Sequence, residues 1–281
     1  MTIYSINGQI VPEKEARISV EDLAVIRGFG VFDYLRTYNR IPFRMNWHID
    51  RFFNSAEMIG LKISYTKEQV GRFVMEAMQE SPESECSIRI VNTGGISPNG
   101  ITPTGNGDLI IIVKATSVIP PEWYTKGASV ISYKVERFMT GAKTINYLMA
   151  ILAQEEAHAA NAIEAVYISR DSGLVLEGTT SSVVFIKHGR LIIPPARYIL
   201  DGISLKSLLL VAEKEFEIER RDIYQDELQD MDEIIICSSN REVVPITKFD
   251  EMIVGDGNPG PISKRLMELF RKETIENPEG L

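Results

Sequence analysis

The sequence predicts a two-domain α+β protein, and three observations carry that expectation. The chain has 281 residues, close to twice the roughly 150 residues of an ordinary domain. Its composition breaks at Ile119-Pro120-Pro121-Glu122, a proline-rich stretch of the kind that joins domains. Strand-like apolar runs and stretches of helical periodicity occur on both sides of that break, so each half has a sheet with helices packed on it. The expected division is a small N-terminal domain over 1–118, a linker over 119–124 and a larger C-terminal domain over 125–281.

The elements follow in order. Ile3–Ile6 and Gln9–Val11 flank Asn7-Gly8, a pair that tolerates the positive φ of a two-residue hairpin turn. Val31–Tyr38 is dense in apolar and aromatic residues and predicts a strand, followed by a turn and Phe43. A helix is expected from near Asn46 through Arg51, Phe52 and Met58, stopping at Gly60. Thr66–Glu80 repeats apolar residues at helical spacing through Val70, Phe73, Val74 and Ala77. Cys86–Asn92 and Leu109–Lys114 predict strands either side of a Gly/Pro/Asn-rich loop, Thr93–Asp108.

In the second half Ala128–Val135 predicts a strand. Thr144–Ala160 predicts a helix, with Leu148, Ile151, Leu152 and Glu155 at helical spacing. Strands are expected at Ala165–Ser169, Leu174–Leu176, Ser182–Lys187 and Leu191–Ile193, with turns at Asp171-Ser172-Gly173 and His188-Gly189. A helix over Ser204–Glu215, a strand at Ile218–Asp222, the apolar run Glu233–Cys237 and a last helix over Pro261–Thr274 complete the pattern.

Composition excludes several functions. Hydrophobic residues at 44% and charged residues at 25% are ordinary for a globular chain and argue against disorder. The net charge is −9 with no basic block, which disfavours a groove for a nucleic-acid backbone or adsorption to an anionic membrane. Cys86 and Cys237 form neither a metal spacing nor a disulfide framework. The N-terminus lacks an apolar leader core, and the longest apolar stretches, such as Leu109–Val113, are strand-sized. A cytoplasmic protein is expected. His48, His158 and His188 sit in no zinc pattern, so no metal is expected. No nucleophile elbow, P-loop or dinucleotide fingerprint occurs, and Gly105-Asn106-Gly107 and Gly255-Asp256-Gly257 read as tight turns.

An ordered set of short motifs is more informative. His48-Ile49-Asp50-Arg51-Phe52 comes first, then Lys143 before Asn146-Tyr147, then Leu176-Glu177-Gly178-Thr179-Thr180-Ser181-Ser182. Leu200-Asp201-Gly202-Ile203-Ser204 opens a helix, and Cys237-Ser238-Ser239-Asn240 ends a strand. In these residues the chain resembles the fold-type IV pyridoxal-phosphate enzymes, which include branched-chain aminotransferases, D-amino-acid aminotransferases and aminodeoxychorismate lyases. The likeness keeps its order from about Asn7 to Pro261. It implies a smaller N-terminal α/β sandwich, a larger C-terminal sheet or pseudo-barrel with helices, the cofactor pyridoxal 5′-phosphate, and a homodimer with its site at the interface.

The resemblance assigns roles residue by residue. Lys143 matches the Schiff-base lysine, the catalytic amine that also carries the proton. Tyr147 matches the tyrosine beside the cofactor's phenolic oxygen. Glu177 matches the carboxylate that keeps the pyridine nitrogen protonated; by itself, Glu177-Gly178 reads as a turn between strands. Arg51 matches the phosphate arginine, and Gly202, Ile203 and Ser204 match the helix N-terminus facing the same anion. Ser238 and Ser239 belong to the cofactor-binding set, with Ser204 and Ser239 adding hydroxyl donors. Phe32, Arg89 and Asn240 are expected on the substrate side.

The match thins there. Branched-chain enzymes carry a tyrosine where this chain has Ser87, and the Arg-x-His trap of D-amino-acid enzymes is replaced by Thr93-Gly94-Gly95. Arg27, in a loop that family dimers lend to the neighbouring subunit, is the expected substitute cation. Ser182, Val184 and Leu205 also depart from the family pattern. The expected activity is transfer of an amino group from an amino acid to a 2-oxo acid such as 2-oxoglutarate. Branched-chain substrates are the first choice, because Arg36 after Phe32-Asp33-Tyr34-Leu35 follows the branched-chain pattern. D-amino-acid transamination and the lyase reaction are the alternatives.

Overall fold

The computed structural model describes residues 1–279, so the last two positions of the expected second domain, 280 and 281, lie outside the described residues. Two compact units are present. The first holds Met1–Ser117 and takes back two later pieces, Ala142–Asn146 and the stretch from Asn277 on; the second holds Val118–Gly141 and Tyr147–Glu276.

The first unit is built on β1 (Ile3–Ile6), β2 (Gln9–Val11), the short helix α1 (Leu23–Arg27), β3 (Gly30–Tyr38), β4 (Ile41–Pro42), α2 (Met45–Met58), α3 (Lys67–Gln79), β5 (Cys86–Thr93) and β6 (Leu109–Ala115). The strands form a six-stranded sheet in the order β2-β1-β6-β5-β3-β4, every pair antiparallel. The hairpin turn falls on Asn7-Gly8 as expected, with Ile6 opposite Gln9. Alternation decides the faces: Val31, Asp33, Leu35 and Thr37 of β3 are buried, and the intervening residues are half-buried. Ile49, Phe52 and Ala56 of α2 and Val70, Val74 and Ala77 of α3 meet the buried side of the sheet. Thr66 caps α3 and Gln69 returns the bond, a reciprocal box that satisfies two orphan donors.

The loop after β5 is tied down by its ends. Thr93 Oγ1 donates to buried Asp22 at 2.6 Å, and the Thr93 and Asp108 backbones bond each other.

The second unit begins with α4 (Glu122–Thr125) and β7 (Ala128–Lys134), then α5 (Leu148–Ala159), β8 (Glu164–Ile168), β9 (Val175–Gly178), β10 (Ser182–Lys187), β11 (Arg190–Ile193), α6 (Ile203–Ala212), β12 (Ile218–Arg220), β13 (Glu233–Ser238), β14 (Glu242–Phe249), β15 (Met252–Ile253) and α7 (Pro261–Glu276). Its nine-stranded mixed sheet runs β12-β11-β10-β13-β14-β7-β8-β9, with β15 on β14. β13 is buried from Glu233 to Cys237, as a continuous apolar run such as Ile234–Ile236 requires.

Three expectations need correction. The helix expected from Thr144 begins only at Leu148. Residues 143–145 bond β3 instead, through an isolated bridge at Thr144: Phe32 N–H donates to Lys143 O and Ile145 N–H to Gly30 O, both at 3.0 Å. β-Branched Thr144 and Ile145 suit that pairing better than a first helical turn. Second, the stretch expected as a linker over 119–124 runs into α4. Third, β14 was not expected; its Pro245 pairs with Ile235 of β13 and precedes Ile246, the first residue paired to β7.

Gly107 gives a test of the loop anchor. A Cβ there would lie 1.9 Å from the Thr93 carbonyl oxygen. Gly107→Ala should therefore cost about 1–3 kcal/mol through overpacking, read as a lower thermal midpoint. An unchanged midpoint would show that the loop yields freely.

Candidate active site

In the first unit, Lys143 is held by its backbone on three sides. Its carbonyl accepts from Phe32, its N–H donates to Ser55 Oγ at 3.0 Å, and neighbouring Thr144 bridges Val31. Ser55 Oγ in turn donates to Arg51 O at 2.7 Å. The Lys143 ammonium nitrogen lies 4.6 Å from the centre of the Phe32 ring, and the Arg89 guanidinium carbon lies 5.5 Å from the same centre. The structure thus brings together Lys143, Phe32 and Arg89. Arg27 stands with none of them. It ends α1, is exposed, donates to Ile26 O at 2.9 Å, and lines an open cavity of about 400 Å³ with Leu23, Phe29, Ile101 and Pro103.

Arg51 points its guanidinium at a residue the motif did not single out. Asp33 accepts from Arg51 Nε at 2.9 Å on one oxygen and from Nη2 at 2.8 Å on the other. His48 Nδ1 lies 2.6 Å from Asp33 Oδ1, and since that carboxylate is ionised the ring nitrogen is the donor. All three side chains are buried. Burial alone would raise the Asp33 carboxyl, but the charges of Arg51 and His48 and their hydrogen bonds outweigh it and hold it well below the usual carboxylate range. Burial pushes the His48 imidazole down, against the pull of Asp33. A signal for Asp33 was present in the sequence: an acid at an inward position of an alternating strand requires partners, and His48 and Arg51 stand three apart on one helix face.

In the second unit, Glu177 near the end of β9 is 5% exposed. Its carboxylate pairs with Arg137 and accepts the Leu200 N–H at 2.9 Å. Tyr147 is the residue before α5, half-buried and outside the helix it was expected to join. Gly202 is the N-cap of α6, with Ile203 and Ser204 as the first two residues of the helix. No side chain caps this terminus, and Gly202 is packed closely: a Cβ there would meet Ser182 Oγ at 2.5 Å. Ser238 closes β13, and Ser239 and Asn240 form the half-buried turn into β14. Cys237 is buried beside them, and burial together with the Glu164 charge pushes its thiol up to about 12, so it is a neutral packed group. No cluster of metal-ligating side chains occurs among the described residues, and no helix among them is long and apolar enough to cross a membrane.

Taken by itself, the first unit presents a primary amine on a backbone bonded to β3. The second unit, taken by itself, presents a buried carboxylate and an uncapped helix N-terminus, the kind of terminus that suits an anion. The pattern of the family described as Amino-transferase class IV matches residues 30–249. The chain is 32% identical over 278 residues to a putative branched-chain-amino-acid aminotransferase of Methanocaldococcus jannaschii, covering 96% of each chain. It is 35% identical over 279 residues to a D-alanine aminotransferase of Staphylococcus epidermidis, covering 97% of this chain and 98% of that one. Its fold matches a branched-chain amino acid aminotransferase from T.th., solved with pyridoxamine 5′-phosphate, at a TM-score of 0.90 and 28% identity, covering 99% and 95% of the two chains.

The Asp33 cluster makes a pH prediction. Its folded carboxyl ionises at lower pH than the unfolded one, near 3.8, so its stabilisation is full above that pH and fades as pH falls below it. Asp33→Asn leaves the Arg51 charge buried without its counter-ion, at a cost of about 3–5 kcal/mol near neutrality. The gap between the thermal midpoints of the two proteins, measured from pH 7 down to pH 3, should hold steady until about pH 4 and begin to narrow below it. A gap that stays constant would exclude ionised Asp33 as its source.

Proposed function

Because the chain belongs to the class IV aminotransferase family, whose members use pyridoxal 5′-phosphate, we propose that it transfers the amino group of a branched-chain-type amino acid to a 2-oxo acid such as 2-oxoglutarate. The observation that carries the substrate choice is Arg36 after Phe32-Asp33-Tyr34-Leu35 on β3, on a chain that lacks the Arg-x-His trap. A second reading, D-amino-acid transamination, is supported by the 35% identity to the staphylococcal D-alanine enzyme.

When bound, the cofactor supplies an electron sink for the substrate's α-carbon. This chain's residues do the rest. Lys143 would hold the cofactor through its amine and would move the proton, and its backbone, bonded to β3, limits where the amine can go. Glu177 keeps the pyridine nitrogen protonated. Its ionised state follows from its partners, because Arg137 and the Leu200 N–H both favour a carboxylate over a carboxylic acid. Tyr147 hydrogen-bonds the phenolic oxygen. Gly202, Ile203 and Ser204 at the α6 N-terminus, with Ser238, Ser239 and Arg51, hold the phosphate. Uncapped N–H groups and hydroxyls are the donors an anion needs, and Gly202 keeps a side chain out of their way. Arg89, Phe32 and Asn240 hold the substrate, with the arginine paired to a carboxylate. The active unit is a homodimer in which Arg27 serves the neighbouring subunit's site.

The purified protein should be yellow, and borohydride reduction followed by digestion should leave a pyridoxyl group on Lys143. A protein that stays colourless after incubation with pyridoxal phosphate would overturn the proposal. Glu177→Gln keeps the shape and removes the charge, so the half-reaction should slow by orders of magnitude with little loss of stability. A screen of L- and D-amino donors, with product analysis, separates the two transaminase readings. Turnover without any amino acceptor would point to a lyase.

The dimer has its own test. Arg27→Ala should raise the donor's KM roughly ten- to hundredfold, the worth of a charge-assisted contact, and leave the cofactor spectrum intact. At donor concentrations far below that raised KM, mixing inactive Lys143→Ala subunits with Arg27→Ala subunits should restore partial activity, since one site per mixed dimer has both native groups. Mixed dimers without recovery would remove Arg27 from the neighbour's site.

A further inference from the structure

Glu164 opens β8, and its side chain is wholly out of water. A carboxylate so placed has lost its hydration and needs several donors in return. Two separate stretches supply them. From the loop between β9 and β10, Thr179 Oγ1 donates at 2.8 Å, Thr180 Oγ1 at 2.9 Å and Ser181 Oγ at 2.7 Å, and the Thr180 N–H donates as well. From the turn between β13 and β14, Arg241 Nη1 donates at 2.6 Å. The fit is close enough to exclude a side chain nearby. A Cβ on Gly178 would lie 2.4 Å from Ser181 Oγ and 3.1 Å from the Glu164 carboxylate carbon.

Each stretch runs on to groups of one kind. Ser181 leads into Ser182, whose hydroxyl packs against Gly202 at the N-terminus of α6. Arg241 ends the turn that carries Ser238, Ser239 and Asn240. Its N–H reaches Ser238 Oγ at 3.4 Å, and its carbonyl accepts from Tyr124 Oη at 3.0 Å. We infer that Glu164, gripping Arg241, is a positioning residue for the phosphate cup: it sets the β9–β10 loop and the β13–β14 turn so that the α6 N-terminus and the two serines present their donors to one anion. The inference rests on the phosphate roles proposed above for Gly202, Ser204, Ser238 and Ser239.

Stability alone gives little reason for this arrangement. A buried ion pair is about neutral against well-packed apolar residues of the same volume. What the carboxylate provides is geometry, because five donors from two stretches converge on two oxygens. Glu164 acts through those stretches and need not touch cofactor or substrate.

The test uses a ligand pair that differs only in the anion. Holoenzyme is stripped of cofactor and titrated with pyridoxal phosphate and, separately, with pyridoxal, following absorbance. In Glu164→Gln and in Arg241→Met, the dissociation constant for pyridoxal phosphate should rise about ten- to hundredfold, while that for pyridoxal changes little. A merely structural role would weaken both ligands alike. Equal weakening, or no change for either ligand in a folded variant, overturns the inference. Should Glu164→Gln fail to fold, Arg241→Met and the double variant Thr179→Val with Ser181→Ala keep the carboxylate and decide by the same ratio. A wild type that holds both ligands equally would instead overturn the phosphate assignment itself, and the inference with it.

Discussion

A carboxylate taken out of water must be met by donors, and that constraint organises both halves of this protein. Asp33, Glu164 and Glu177 each occupy a buried strand position, and each is met by one arginine: Arg51, Arg241 and Arg137. The remaining lone pairs go to groups whose placement then becomes fixed. Asp33 takes the ring of His48, Glu177 the backbone N–H of Leu200, and Glu164 a run of three hydroxyl-bearing residues. Such pairs add little net stability, yet breaking one leaves a bare charge in the interior. Their effect is to make the local geometry nearly all-or-none, which is what a site held to within a fraction of an ångström requires.

Much of the fold was legible because the relevant signals are local. Asn7-Gly8 demands a hairpin whatever surrounds it, and Thr66 with Gln69 marks a helix start within four residues. Legibility failed where the deciding contact is distant in sequence. Thr144–Tyr147 continues the apolar pattern of α5, but a strand more than a hundred residues earlier captures its backbone. Pro245 hides β14, since a proline cannot donate to a ladder; here it pairs with Ile235 of β13 and precedes Ile246, the first β14 residue paired to β7.

The site divides along the same line. The roles proposed for Lys143, Glu177 and the Gly202–Ser204 segment come from residue type and order. Asp33, Arg137, Glu164 and Arg241 could not be assigned from order alone, because what marks them is partnership: a charge becomes informative when burial forces it to find its opposite. Arg51 shows the difference most plainly. Its motif names an anion partner, and the folded chain provides one of its own in Asp33.

That pairing bears on how the first unit attracts an anion. A guanidinium held side-on, through Nε and Nη2, by a buried carboxylate contributes little long-range field, because the pair is neutral at a distance. Its remaining value to a phosphate is directional, as a rigid donor in a known place. The field at the strand face comes instead from Lys143 and Arg89, two cations within 6 Å of one Phe32 ring. Like charges that share a ring repel each other, and the ring's negative face offsets only part of that repulsion. Two positive groups beside one ring set the sign of the local potential and say nothing about the shape of what it attracts. Selectivity among amino acids must come from shape and from groups further along the strands.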